Sequence, residues 1–156
     1  MLGEHAYTVG VEWRGNRGTG TSGYRDYSRE LVVSAAGKHP IEGSADKPFR
    51  GDLSRWNPEE LLLAALAQCH LLSYLHVAVT VGVVVTAYED DAHGTMVEDG
   101  NSGGAFTEVI LRPRVTVADA SMADAALAAH KRANELCFIA RSVNFPVRHE
   151  PVIVVA

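Results

Sequence analysis

Apolar and polar positions divide the chain into segments of different period. Ala6 to Arg14 alternates loosely through Tyr7, Val9, Val11 and Trp13, which predicts a half-buried strand. Gly15 to Gly23 is rich in Gly, Thr and Ser and predicts a turn. Tyr24 to Ala35 follows with a β-branched and aromatic bias, and is expected to pair with the first strand as a hairpin. Residues 36–57 carry Gly37, Pro40, Gly43, Pro48 and Gly51 and read mostly as loop, with a short strand at Ile41.

At Asn57 the pattern becomes helical. Asn57 suits an N-cap, Pro58 the first helical position, and Glu59 and Glu60 the positive end of the helix dipole. The helix is expected to reach about Val79. Its apolar residues lie on nearly every side, which predicts a central helix covered all round. Leu61 to Val85 is apolar enough to raise the question of a membrane span, but Gln68, His70, Ser73, His76 and Gly82 interrupt it. Polar groups at mid-bilayer depth are costly, so a buried helix running into a strand is the better reading.

That strand is predicted over Val81 to Tyr88, and Asp90 to Gly104 is polar and glycine-rich, a loop. Phe106 to Val117 alternates as another strand, with Pro113 marking a bulge or an edge. Ser121 is the expected N-cap of an alanine-rich helix over Met122 to Leu136, with Asp124 three positions on. Phe138 to Val143 suggests a short helix, and Phe145 to Val155 a last strand. The order predicts a single α+β domain over residues 1–156.

Composition narrows the function. At 156 residues and 47% hydrophobic, the chain can bury a sizeable core. A net charge of -5 argues against nucleic-acid binding through a basic face. Met1 to Gly10 has no apolar signal segment, so a cytosolic, reducing compartment is expected. Neither a C-x-x-C pair nor zinc-finger spacing occurs. His70 and His76 are six apart and share no helix face, and Asp90, Asp91 and His93 read as a solvated loop, so no metal site is expected.

The chemistry rests on two cysteines, Cys69 and Cys137, both in apolar, helical-looking segments. A cysteine attacks as the thiolate, and burial in an apolar helix works against that form. A reactive Cys69 therefore needs a cation, best a guanidinium, and a buried guanidinium needs a carboxylate. A second cysteine would resolve the sulfenic acid left by oxidation. The alternative is that both thiols are small buried hydrophobes.

Asn57-Pro58-Glu59-Glu60-Leu61-Leu62-Leu63-Ala64-Ala65, with Cys69 ten residues after Glu59, closely resembles the helix start of the OsmC/Ohr family (osmotically inducible and organic hydroperoxide resistance proteins). Ala133 to Cys137, the second cysteine 68 residues after the first, resembles the family's second-cysteine segment. Tyr24-Arg25-Asp26-Tyr27-Ser28-Arg29 resembles the segment carrying its catalytic arginine; Arg25 is the best match and Arg29 stays open. The resemblance covers essentially the whole chain. It implies antiparallel sheets around a long central buried helix, in an intertwined homodimer.

The resemblance also implies a Cys-based thiol peroxidase reducing organic hydroperoxides to alcohols. Cys69 would attack the peroxide, Cys137 would form a disulfide with it, Arg25 would stabilise the thiolate, and Glu59 would orient Arg25. An external dithiol, dihydrolipoamide or a lipoylated protein, would reduce the pair, with no metal or bound cofactor. Expected partners are a second copy, the hydroperoxide and the reductant, with neither nucleic acid nor membrane. Glu59 and Cys69 on one straight helix would lie about 15 Å apart along its axis, so one site takes both more easily if a second chain contributes Glu59 or Arg25. Phe138 stands where the family commonly has Pro, His70 where the hydroperoxide-resistance branch has an apolar or aromatic residue, and the 36–56 loop differs in length. These departures place the chain nearer an OsmC-like subgroup. Rival readings are a non-catalytic small-molecule or lipid-binding member of the fold and a thiol redox sensor.

Overall fold

A computed structural model describes residues 2–156. The chain forms two compact units, one ending at Leu61 and one spanning Leu62–Ala156.

The first unit is a three-stranded antiparallel sheet of β1 (Gly10–Trp13), β2 (Leu31–Ser34) and β3 (Ile41–Gly43), in that order. The predicted hairpin is present, with Trp13 opposite Leu31 and Gly10 opposite Ser34. Its second strand, however, starts only at Leu31, and Tyr24 to Glu30 belong to the connection. That connection is fastened by the Ser28 N–H to Gly15 O at 2.9 Å and by the Trp13 indole N–H to Ser28 O at 2.8 Å. A side chain at residue 15 would place its Cβ 1.9 Å from Ser28 O, so glycine alone allows this approach. β1 is exposed along its length, not half-buried as its alternation suggests.

α1 (Pro58–Thr80) starts where the sequence places it. Asn57 Oδ1 accepts the Glu60 N–H at 2.8 Å, and Glu60 Oε2 accepts the Asn57 N–H at 3.3 Å. These reciprocal bonds satisfy two donors that a helix start otherwise leaves open.

The second unit holds two further three-stranded sheets. One is β4 (Val85–Asp90), β7 (Pro113–Val117) and β9 (Val152–Val155), in the order β4-β7-β9. The other is β5 (His93–Glu98), β6 (Gly104–Leu111) and β8 (Val147–His149), in the order β5-β6-β8. α2 (Ala123–Leu136) precedes β8 in the chain. The pairings β6–β8 and β7–β9 are parallel, so these sheets are mixed rather than antiparallel. Parallel neighbours need a long crossover, and the stretch containing α2 provides it.

Several predicted boundaries move. β5 lies within the segment read as loop, because five of its six residues are exposed and polar turn signals flank it. The strand predicted over Phe106 to Val117 is two strands in different sheets, divided at Arg112, whose N–H binds Asp90 Oδ1 at 2.7 Å. The last strand divides likewise at Glu150–Pro151. Asp119, not Ser121, is the capping residue before α2; it accepts the Ser121 N–H at 2.8 Å and heads a 3-10 turn over Ala120–Met122.

The main core joins α1 (Tyr74, Val77, Ala78), β7 (Val115, Val117) and α2 (Ala126, Ala129, Ala133). Leu66 packs with Val109 and Leu111 in a second cluster. The buried residues Leu66, His70, Tyr74, Val77 and Ala78 form one stripe of α1, while Leu72 and Val79 are 65% and 79% exposed. One chain therefore covers one face of α1 and not all of it, contrary to the helix covered all round that its composition predicts.

Candidate functional site

The two thiols belong to the second unit. Cys69 sits midway along α1, next to the buried stripe, and is half-buried. Cys137 is the C-cap residue of α2, where the backbone leaves the helix with φ -72° and ψ 109°, and it is 1% exposed. Its N–H binds Asn134 O at 3.3 Å and its carbonyl accepts the Arg141 N–H at 3.1 Å. The Ala140 N–H points at its sulfur, 3.4 Å away.

Both cysteines are free thiols, and the fold brings them together. The Cys137 thiol is pushed up from 9.0 to about 11, first by burial and then by a hydrogen bond to Cys69 and by the charge Cys69 can carry. The Ala140 N–H works in the opposite direction. Cys137 thus remains a thiol across the neutral range.

Arg25 and Glu59 belong to the first unit. Arg25 is exposed on the turn before β2, with no hydrogen bond or ion pair among the described residues. Arg29 is committed locally: its guanidinium donates to Tyr27 O and Tyr24 O, both at 2.9 Å, and lies 4.0 Å and 4.4 Å from the centres of the Tyr27 and Tyr24 rings. These contacts combine hydrogen bonds with cation–π attraction. Of the two arginines, only Arg29 has its guanidinium hydrogen-bonded among the described residues. Glu59, in the first turn of α1, has a buried Oε2 with no partner among the described residues. A buried carboxylate oxygen without a donor is costly and suits a guanidinium.

A further group was not visible as a pattern in the sequence. His70 of α1, His130 of α2 and His149 of β8 gather inside the second unit, with His70 Nε2 3.0 Å from His130 Nδ1. The rings of His70 and His130 are nearly parallel, at 10° and 5.3 Å between centres, and His149 lies 5.3 Å from His70. Burial lowers His70 from 6.5 to about 4 and His130 to about 3, with the neighbouring imidazoles adding to the effect. His70 is buried within its own chain, at 1% exposure. His130 and His149 carry no local signal, since their spacing to His70 is long-range. Among the described residues no group of three or more His, Cys, Asp or Glu is arranged to hold a metal ion.

Comparison with known proteins agrees with this architecture. The model of the family described as OsmC-like protein matches residues 51–151. An uncharacterized protein of Bacillus subtilis (strain 168), YmaD, is 29% identical over 150 residues, spanning 91% of this chain and 89% of its own. An OsmC-like protein of unknown function from Vibrio cholerae is 28% identical with a TM-score of 0.83, covering 96% of this chain and all 100% of that one. An organic hydroperoxide resistance protein from Legionella pneumophila shares the fold at a TM-score of 0.67 and 17% identity, over 97% of this chain and 99% of its own. With the helix motif and a family match over residues 51–151, most of its length, this chain belongs to the OsmC/Ohr family.

Proposed function

We propose that this protein is a cysteine-based peroxidase that reduces organic hydroperoxides to alcohols. The observation that carries the reading is the unequal thiol pair: half-buried Cys69 beside a buried Cys137 held as the thiol. The Cys69 thiolate attacks the distal oxygen of the hydroperoxide. The O–O bond breaks, the hydroxyl is transferred to sulfur so that Cys69 becomes a sulfenic acid, and the departing alkoxide takes a proton from solvent, equivalent to the one Cys69 released on ionising, to give the alcohol. Cys137 sulfur then displaces the hydroxyl, which leaves as water with the Cys137 proton, and a disulfide forms. An external dithiol, dihydrolipoamide or a lipoylated protein, reduces that disulfide and is itself oxidised.

Arg25, which has no bonded partner among the described residues, stabilises the thiolate and the charge developing on the peroxide, and Glu59, whose buried Oε2 has no partner among those residues, orients it. The active form is a homodimer in which a second copy covers the open α1 face at Leu72, Leu75 and Val79. The same fold in organic hydroperoxide resistance proteins supports the reading.

The test is consumption of cumene or t-butyl hydroperoxide with a dithiol. Wild type turns over, Cys69→Ser does not, and Cys137→Ser stops at a sulfenic acid that dimedone traps. Disulfide formation without turnover would replace the peroxidase with a redox sensor. A monodisperse monomer at micromolar concentration with full activity would remove the dimer from the proposal.

A further inference from the structure

Each of the two helices that supply a thiol also supplies an imidazole. On α1, Cys69 and His70 are adjacent, about 100° apart around the axis. On α2, His130 precedes the C-cap residue Cys137 by seven positions, two turns along nearly the same face. His70 Nε2 meets His130 Nδ1 at 3.0 Å, and Cys69 is near enough to Cys137 to help raise the pKa of its thiol. One turn after His70, Tyr74 stacks on His130 at 4.1 Å between ring centres and donates its hydroxyl to Ala126 O at 2.9 Å. The contact between α1 and α2 is thus partly polar, directional and buried, where an all-alkyl contact would let α1 turn about its axis.

Because Cys69 and His70 are neighbours on one helix, a rotation of α1 that breaks the His70–His130 contact also displaces Cys69. We propose that the His70–His130 pair is a positioning device that fixes the rotation of α1 on α2 and so holds Cys69 against Cys137 for disulfide closure. The inference rests on the proposed disulfide between Cys69 and Cys137, but not on which oxidant forms it. The groups facing the pair are Tyr74 on α1, His149 on β8, and, through Tyr74, Tyr88 on β4 with Asp90 beside it. Tyr74 and Tyr88 hold their protons under burial, and His70, His130 and His149 stay neutral at neutral pH, so the link there is a neutral hydrogen bond.

The test compares His70→Phe, which keeps the ring stack and loses the bond, with His70→Gln, which keeps a donor and acceptor near the Nε2 position. His130→Phe and His130→Asn repeat the comparison from α2, should either His70 variant fail to fold. Each protein is equilibrated at pH 7.5 in oxidised and reduced dithiothreitol mixtures, and the Cys69–Cys137 disulfide is read by alkylation mass shift. The Phe variants are expected to lower the disulfide equilibrium constant about tenfold, the scale of one hydrogen bond, and the Gln and Asn variants to stay within about twofold of wild type. Folded Phe variants with the wild-type constant, or Gln and Asn variants as weak as Phe, would overturn the positioning role. If wild type itself forms no disulfide, the resolving role of Cys137 and this proposal fall together. If it does, and yet consumes no hydroperoxide, only the peroxidase reading falls.

Discussion

The inequality of the thiols predicts a measurable difference in reactivity. Iodoacetamide reacts with the thiolate, so its rate at a buried site reports the deprotonated fraction as well as access. At pH 8 a thiol titrating at 9.0 is about one-tenth thiolate, while Cys137 at about 11 is about one-thousandth. Ionisation alone therefore slows native Cys137 about 100-fold relative to the same residue in the urea-unfolded chain, and 1% exposure slows it further. Site-resolved mass spectrometry across pH 7 to 11 separates the two effects. An access barrier lowers the rate by a constant factor, whereas a raised pKa keeps the rate climbing tenfold per pH unit beyond 9. A native Cys137 rate that levels off by pH 9, or that equals the unfolded rate at pH 8, would refute the argument that burial and Cys69 hold its proton.

Acid should weaken the fold through the histidine cluster. His70 and His130 have folded pKa values below their ordinary 6.5, so the unfolded chain takes up protons first as pH falls. Their full contribution is present above 6.5 and is lost as pH falls toward about 4 and about 3. At pH 5 the loss is about 2 kcal/mol for each histidine taken separately, at about 1.4 kcal/mol per unit. Urea midpoints at pH 7.5, 6 and 5 check this, and a flat profile down to 5 would contradict neutral burial of the cluster. Asn57→Ala should cost about 1 kcal/mol, because it removes the acceptor of the Glu60 N–H. The urea midpoint should shift with an unchanged slope, and no shift would mean that water replaces the cap without loss.

What could be read from the sequence was mostly local. Asn57, Pro58 and Glu60 act within one turn, so the start of α1 follows from their order alone. The hairpin of β1 and β2 follows from alternation on either side of a glycine-rich turn. What failed depends on partners distant in the chain. The break between β6 and β7 is fastened by Asp90 acting on the Arg112 N–H 22 residues away. β5 exposes most of its residues and so lacks an apolar alternation to announce it. The apolar surface of α1 gives no indication of which face its own chain covers, and that face is set by Val109, Leu111, Val115 and α2. A second thiol near Cys69 was expected both from the chemistry of a reactive cysteine and from the family motif, whereas neither route indicated the histidine cluster, since His70 and His130 are 60 residues apart.

The setting of Cys137 bears on the order of events in the proposed cycle. A thiol held protonated and 1% exposed is a poor target for a hydroperoxide, which leaves Cys69 as the first sulfur to be oxidised. The same proton becomes useful in the next step. The hydroxyl of a Cys69 sulfenic acid must leave as water, and Cys137 brings both the attacking sulfur and a proton to the same place. As that proton departs, negative charge grows on the Cys137 sulfur, and the Ala140 N–H already points at it from 3.4 Å. That donor belongs to the turn that follows Cys137, closed by the Arg141 N–H on the Cys137 carbonyl at 3.1 Å. Phe138, 78% exposed where the family commonly has Pro, takes no part in these bonds. The departure from the family pattern at 138 therefore leaves intact the backbone that would serve Cys137 as a resolving thiol.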